Sequence, residues 1–245
     1  MNWYEKLEEY ELEFQEKYDQ YGAEGILEHI FNGETPNINP THKYCVELGA
    51  MDGVTGSTTK WLADECGWEQ LGIEGNPRWA NKNPNHVIEK ITAENVNELL
   101  KKYKVPTNLD FLSLDIDSND YWVLKSLLES NIYRPKVFML EYNPYFEIDE
   151  FKAITYNTNY SKTRTNYYGA SISAYKKLSE DNGYKLAHIV HCHNIKDEKM
   201  GRNAFFIKSE YLPEDFEYDT SHIVKWLEGY KSLDTSKDHI WVDVS

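Results

Sequence analysis

Basic residues are scarce in this chain. Lysine and arginine number 26 against 41 aspartates and glutamates, a formal net charge of −15 over 245 residues. Such a surface repels phosphate backbones, and no basic stripe offsets it, so general nucleic-acid binding is excluded. Cysteine is scarce too. Cys45, Cys66 and Cys192 are odd in number and widely spaced, with no CxxC pair. That excludes a disulfide framework and fits a reducing compartment. No apolar run approaches the roughly 18 residues of a membrane span, and the mean hydropathy is −0.69. The opening residues Met1 to Tyr10 are acidic and lack an apolar core, so no secretory signal is expected. These absences predict a cytoplasmic protein with neither membrane nor nucleic acid as partner. A small neutral or cationic ligand suits its charge.

What remains has globular composition, 40% hydrophobic and 27% charged. Trp3, Leu7, Tyr10, Phe14, Tyr18 and Tyr21 step by three or four, which predicts a helical stripe over roughly 1–30, with a second short helix at 26–31. From residue 43 short apolar runs alternate with helical periods. Strands are expected at 44–48, 70–74, 86–91, 109–116, 137–142, 184–190 and 203–208. Helices are expected at 55–66, 93–103, 120–130, 170–181 and around 222–230. Strand–helix alternation argues for βαβ units around a parallel sheet. Residues 143–168 are rich in Tyr, Asn and Thr and break the rhythm; a loop of that length in a compact domain is usually functional. The expected organisation is a helical cap over 1–40, a main domain over 41–210 carrying the 143–168 insertion, and an acidic extension over 211–245.

Val46-Glu47-Leu48-Gly49-Ala50-Met51-Asp52-Gly53 lies where the first strand meets the first helix. Glycines there turn the chain tightly and let a ligand approach the backbone. The second strand ends at Glu74-Gly75-Asn76-Pro77. Glu74 follows the glycine turn by about 20 residues, the spacing at which an acidic side chain bonds ribose hydroxyls. Gly49 and Gly53 do not complete G-x-G-x-x-G, and no P-loop lysine is present. Asp52 near the following helix would oppose a pyrophosphate. A nucleoside without phosphates suits this site better than a dinucleotide, which disfavours a Rossmann dehydrogenase. A tight turn followed by a helix cap is the plain structural alternative.

These residues resemble the FkbM-type group of class I S-adenosylmethionine-dependent methyltransferases. Its first motif, Glu/Asp-x-Gly-Ala-x-x-Gly, is matched by Glu47 to Gly53, and the acidic residue closing its second strand by Glu74. Its Ile-Asp-x-Asp/Glu-Gly motif is approached by Asp115-Ile116-Asp117-Ser118-Asn119-Asp120, with Ser118 where the group has glycine. Phe138 to Pro144, Tyr168-Gly-Ala-Ser, Asn182 to Leu186 and Asn203 to Ile207 also fit, so the likeness covers roughly residues 20–210.

The resemblance implies an α/β Rossmann-like fold with a seven-stranded, mostly parallel sheet flanked by helices. The implied order is 3-2-1-4-5-7-6, with the strand at 203–208 antiparallel. It implies that the cofactor S-adenosylmethionine lies over the motif of Glu47, Gly49, Ala50, Asp52 and Gly53. Glu74, beside Gly75 and Asn76, would bind the ribose. Thr92 or its neighbours would face the adenine, and Asp115 and Ile116 would close the pocket. The acceptor would be a hydroxyl of a sugar, glycan or other small molecule.

Asp115, Asp117 and Asp120 cluster after the fourth strand, and Glu141 ends the fifth. Oxygen ligands from adjacent strand ends suit Mg²⁺, an arrangement similar to catechol-type O-methyltransferases, with Asp115, Asp117 and Glu141 as ligands. The alternative is that one aspartate caps the next helix and no metal binds. Asp117 and His191 are the candidate proton acceptors. His188, His191, Cys192 and His193 lack the second ligand pair that a zinc site needs. A module that holds the cofactor without turnover is the non-enzymatic alternative. Composition does not fix the oligomeric state.

Overall fold

The computed structural model describes residues 2–14, 17–18, 22–32, 36–79, 83–160, 166–190, 203–220 and 239–245. Nine strands are described: β1 (Tyr44–Leu48), β2 (Glu69–Glu74), β3 (His86–Ile88), β4 (Phe111–Leu114), β5 (Val137–Glu141), β6 (Lys152–Ile154), β7 (Tyr184–Ile189), β8 (Asn203–Lys208) and β9 (Trp241–Asp243). The α-helices are α1 (Leu7–Glu13), α2 (Ala23–Phe31), α3 (Lys60–Cys66), α4 (Val96–Lys102), α5 (Asp120–Ser130) and α6 (Ile172–Asp181). None of the described helices is long and apolar enough to cross a membrane.

Seven strands form one sheet in the order β3-β2-β1-β4-β5-β8-β7. β1 to β5 pair in parallel, and β8 runs antiparallel to both β5 and β7. In chain numbering this is 3-2-1-4-5-8-7 rather than the expected 3-2-1-4-5-7-6. The difference arises because an unanticipated strand, β6, falls between β5 and β7. β6 pairs with β9, also unanticipated, in a separate two-stranded sheet.

Alternation along the strands sends side chains to two cores. Val46, Leu48, Leu112, Leu114, Phe138, Leu140 and Phe206 meet the apolar stripes of α4, α5 and α6. Cys45, Phe111, Val137, Met139, Phe205 and Ile207 meet α1, α2 and α3. Phe138 and Phe206 are directly opposed in the β5–β8 ladder and stack with ring centroids 5.0 Å apart, a cross-strand pair worth about 0.5–1.5 kcal/mol beyond its burial.

The expected N-terminal stripe is interrupted for a polar reason. α1 ends at Glu13, and Phe14 is extended. The buried carboxylate of Glu24, on α2, then accepts the backbone N–H groups of Lys17 and Tyr18 at 2.6 Å each. Those donors serve a side chain instead of a helical ladder. α1 is tied to the sheet by Glu11 and His188, both buried, at 2.7 Å. The chain enters β1 over Asp110, whose carboxylate accepts from Thr41 and His42 backbone N–H and pairs with buried Lys136 at 3.1 Å.

The 143–168 insertion carries order of its own. Asn157 donates its backbone N–H to the Asn119 side chain, which in return donates to the Asn157 carbonyl. The Trp122 indole N–H donates to the Ile154 carbonyl at 2.8 Å. These bonds lay the insertion over the C-terminal ends of the parallel strands. The helix expected near 222–230 lies outside the described residues.

Gly49 fixes the geometry at the centre of the sheet. Its φ is +96°, and a Cβ there would come within 1.6 Å of the Asp115 carbonyl oxygen. Gly67, with φ +68°, has nothing within 4 Å of a built Cβ. Gly67→Ala therefore carries only the left-handed penalty of about 1–2 kcal/mol. Gly49→Ala adds a backbone collision and should destabilise the protein by a further 1 kcal/mol or more, roughly. Urea denaturation of the two variants checks this; equal losses would remove the argument from close approach.

Candidate functional site

The carboxyl ends of β1, β2 and β4 leave a cavity of about 610 Å³. It sits between β1 and β4, whose outgoing helices α3 and α5 pack on opposite faces of the sheet, the place at which open α/β sheets take ligands. Gly49 and Met51 line it from β1, Glu74, Asn76 and Trp79 from β2, Lys90 and Ile91 from β3, and Asp115 to Asn119 from β4. Thr158 and Tyr160 of the insertion complete the wall. A smaller recess of about 70 Å³ shares Gly49, Met51 and Asp115 and runs inward to Glu47, Ser113, Met139 and Asn203.

The motif after β1 divides into two roles. Glu47 is buried, and its carboxylate accepts from Ser57 Oγ at 2.6 Å, Thr58 N–H at 2.9 Å and Thr59 Oγ1 at 2.8 Å. It holds the start of α3. Asp52 is buried too and accepts the N–H groups of Val54 and Thr55 at 3.0 and 2.8 Å, closing the turn on itself. Gly49 and Ala50 line the recess.

Gly53 lines neither space. A Cβ there would lie 2.2 Å from the imidazole of His86. The missing side chain at this position makes room for protein. His86 is wedged between Gly53 and Gly72, and neither ring nitrogen has a hydrogen-bond partner. Burial pushes its pKa down, so it is held neutral.

Glu74 stands at the cavity edge. One carboxylate oxygen accepts Met51 N–H at 2.9 Å and the other Asn76 N–H at 2.6 Å. Met51 has φ +45° and points into solvent at the rim. Gly75 and Asn76 line the cavity beside Glu74. Thr92 does not line it. Thr92 N–H donates to Asn95 Oδ1 at 2.8 Å, and its hydroxyl accepts Asn95 N–H at 3.3 Å, closing the turn that leads into α4. Ile91 and Lys90 hold the position expected of Thr92.

Asp115 and Asp117 are exposed and Glu141 is half-buried. One oxygen of each lies within 4.8 Å of the others. Asp120 is separate. Fully buried, it accepts Ile116 N–H at 2.7 Å and Ser118 N–H at 2.8 Å and folds the 115–118 turn. The left-handed residue of that turn is Asp117, with φ +57°, and not Ser118. Aspartate tolerates this conformation better than most residues, which explains how the turn forms without the glycine. His191 lies outside the described residues, as do Cys192 and His193. Sequence reasoning missed Trp79 and Thr158 as cavity residues, whereas Tyr160 belongs to the aromatic insertion expected to be functional. Their signal was only the aromatic content of the segments that hold them.

No protein-family model matches the chain, and no curated protein matches it. Solved structures with a similar chain path exist at low likeness. The N-terminal domain of EvdMO1, solved with SAH and D-fucose, shares 14% identity over 76% of this chain and 80% of that one, with a TM-score of 0.41. A SAM-dependent methyltransferase from Aquifex aeolicus shares 13% over 83% of this chain and 96% of that one, at 0.39. The citrinin polyketide synthase CMeT domain shares 13% over 77% of this chain, at 0.40, and this chain spans half its length. At scores this low the fold rests on the strand pairing and not on these likenesses.

Asp120 gives the site a pH signature. Burial raises its carboxyl to about 6 against the ordinary 3.8, although the two backbone N–H groups pull the other way. The folded protein therefore binds this proton more tightly than the unfolded chain. Its contribution is fully present below about pH 4 and is lost as pH rises through about 6. Urea unfolding at about pH 4.5 and about pH 7 should show that Asp120→Asn removes a loss of about 2 kcal/mol seen in the parent, the part of the roughly 3 kcal/mol carried by the full shift that falls between those pH values. An identical pH difference in both proteins would refute it.

Proposed function

We propose that the chain is an S-adenosylmethionine-dependent methyltransferase that acts on a hydroxyl of a small molecule or glycan. The observation that carries this reading is the charge and shape of the cavity. Glu74, Asp115 and Asp117 line it against one lysine, Lys90. Three carboxylates suit a sulfonium cation and oppose a phosphate-bearing cofactor. Its volume falls in the range of small-molecule sites, roughly 300–1,000 Å³. The motif resemblance supports the FkbM-type assignment and, by analogy alone, a sugar acceptor. The cysteine content and charge favour a cytoplasmic setting.

In this reading the amino-acid end of the cofactor enters the recess by Gly49 and Ala50, the ribose meets Glu74, and the methyl group faces Asp115 and Asp117. The acceptor hydroxyl attacks the methyl carbon in line. The carbon–sulfur bond breaks, S-adenosylhomocysteine leaves, and the hydroxyl proton passes to a base. Asp117 is the candidate base among the described residues, and His191 is the other. The chain's contribution is mainly alignment, with acceptor oxygen and methyl carbon held about 3 Å apart.

A second reading adds a divalent metal at Asp115, Asp117 and Glu141. The donor set, three carboxylates from two adjacent strand ends, fits a hard cation, which would orient the acceptor and lower its pKa. The three carboxylate oxygens lie within 4.8 Å of one another, close to the span of about 4.2 Å across an octahedral Mg²⁺ site. The metal-free reading is preferred because the motif likeness is to the FkbM-type group.

Glu74→Ala should weaken S-adenosylhomocysteine binding ten-fold or more, because bonds to a charged group are worth about 1.5–3 kcal/mol each. Calorimetry on the folded variant decides; a loss below about three-fold would mean the carboxylate serves only the loop.

Asp117→Asn tests the chemistry. Turnover of an accepted substrate should fall about a hundred-fold or more, and S-adenosylmethionine affinity should fall with it, because the sulfonium loses a facing carboxylate. EDTA should leave the parent rate unchanged. Chelator-sensitive turnover restored by Mg²⁺ would establish the metal-dependent reading instead, and cofactor binding without turnover on any acceptor would favour the binding module.

A further inference from the structure

The recess that opens beside Gly49 ends in two polar side chains with unmet hydrogen-bonding capacity. Ser113 and Asn203 line it and are buried, 3% and 8% exposed. Neither the Ser113 hydroxyl nor the Asn203 amide has a hydrogen-bond partner among the described residues. Buried polar groups are paired as a rule, and an unpaired one destabilises the fold. Strand register sets the two side by side. Ser113 of β4 is level with Met139 of β5, and Asn203 of β8 lies opposite Glu141, two residues on from Met139. Partners across a ladder share a face of the sheet, as do residues two apart along a strand. Met139 therefore offers an aliphatic surface beside the two polar groups. Glu47 also lines the recess, but its carboxylate already serves Ser57, Thr58 and Thr59.

We infer that the end of this recess is an acceptor subsite for a hydroxymethyl group, and that the acceptor is a neutral hexopyranoside. The inference rests on the proposed methyltransferase reading and deepens it. A serine hydroxyl and an asparagine amide each donate and accept a hydrogen bond, and a ligand hydroxyl does both in return. Its methylene lies on Met139. A carboxylate or phosphate in the same place would meet Glu47 and Asp115. The recess of about 70 Å³ admits a hydroxymethyl group and excludes a ring, since one water's share of the liquid is about 30 Å³. The cofactor does not fill this end. Gly49 and Ala50 leave β1, whereas Asn203 stands on β8, three strands across the sheet, roughly 14 Å away at about 4.8 Å per strand. The cofactor's short amino-acid tail, seated at Gly49, does not reach so far. An acceptor ring over β4 and β5 presents one hydroxyl to the methyl carbon and extends its hydroxymethyl arm into the recess. The recess belongs to the sheet, so it reads a group that the acceptors share, while Thr158 and Tyr160 face the remainder of the ring.

The probes are methyl glucoside, methyl 6-deoxyglucoside and methyl xyloside, the last two lacking the hydroxyl or the whole arm. Transfer from labelled S-adenosylmethionine is measured on the full chain, with calorimetry of S-adenosylhomocysteine binding in parallel. The parent should use methyl glucoside with a kcat/KM about a hundred-fold above the other two, the scale of two hydrogen bonds left unmade. Ser113→Ala and Asn203→Leu should each lower that ratio about ten-fold, while S-adenosylhomocysteine affinity stays within about three-fold. Neither should lower the melting temperature, because each removes a buried polar group that has no partner. A merely structural role would lower the melting temperature and leave the ratio alone. Equal use of the glucoside and its 6-deoxy counterpart, or no turnover of the glucoside, would overturn the inference, while S-adenosylhomocysteine binding would leave the cofactor reading standing. A ten-fold loss of that binding in Ser113→Ala with the ratio unchanged would give the recess to the cofactor and overturn it too. No binding of S-adenosylhomocysteine by the parent protein would overturn both.

Discussion

The chain leaving β1 runs against the end of β4 at a distance that admits no side chain. The Asp115 carbonyl lies where a Cβ of residue 49 would be. Gly49 N–H and Ala50 N–H meanwhile both reach the Ile73 carbonyl on the other side, at 2.9 and 3.2 Å. Three strand ends are thereby gathered within one turn. Everything else about the site follows from that gathering. Glu74 comes next to Met51, Asp115 faces the same space, and the chain beyond Asp115 must bend sharply. That bend puts Asp117 in a left-handed conformation, with Asp120 bonded beneath it.

Acidic residues crowd this end of the sheet, and burial separates their work. Glu47, Asp52 and Asp120 are almost wholly enclosed, and each accepts two or more donors from the backbone or hydroxyls of a neighbouring turn. A buried carboxylate is tolerable only with such partners. Asp115, Asp117 and Glu74 face the cavity and keep access to water or ligand. The same residue type, a few positions apart, is structural in one case and available for chemistry in the other. A linear reading places all of them at strand ends and cannot separate them, because enclosure depends on which helices cover the sheet.

Legibility in the sequence follows the same division. β1, β8 and α5 fall where apolar periodicity puts them, to the residue, and β2, β4, β5 and β7 within about two residues. Those elements are long or strongly apolar. β6 and β9 are three residues each and about ninety positions apart, too short for a period to register, and no local pattern announces a partner so distant. Gly49, Glu74, Asp115, Asp117 and Glu141 were legible because a parallel sheet exposes its carboxyl strand ends. Gly53 shows the limit of such reading: a glycine permits close approach without saying of what, and here one neighbour is His86. Of Thr92 and its neighbours, Lys90 and Ile91 line the cavity while Thr92 bonds to Asn95, a choice that local sequence does not make.

The cavity has two kinds of wall, and they are held by different means. The sheet side is fixed by ladders and by the Gly49 turn, so its residues cannot move without disturbing the core. The opposite side, Thr158 and Tyr160, belongs to the insertion. That segment is attached through the reciprocal Asn119–Asn157 bonds, the Trp122–Ile154 bond and the β6–β9 pairing, all outside the main sheet. Sequence change in the insertion therefore reshapes one wall while leaving the strand-end carboxylates where they are. On the proposed reading, a cofactor common to many acceptors belongs against the fixed wall. Discrimination among acceptors belongs to the wall that can vary without cost to the sheet.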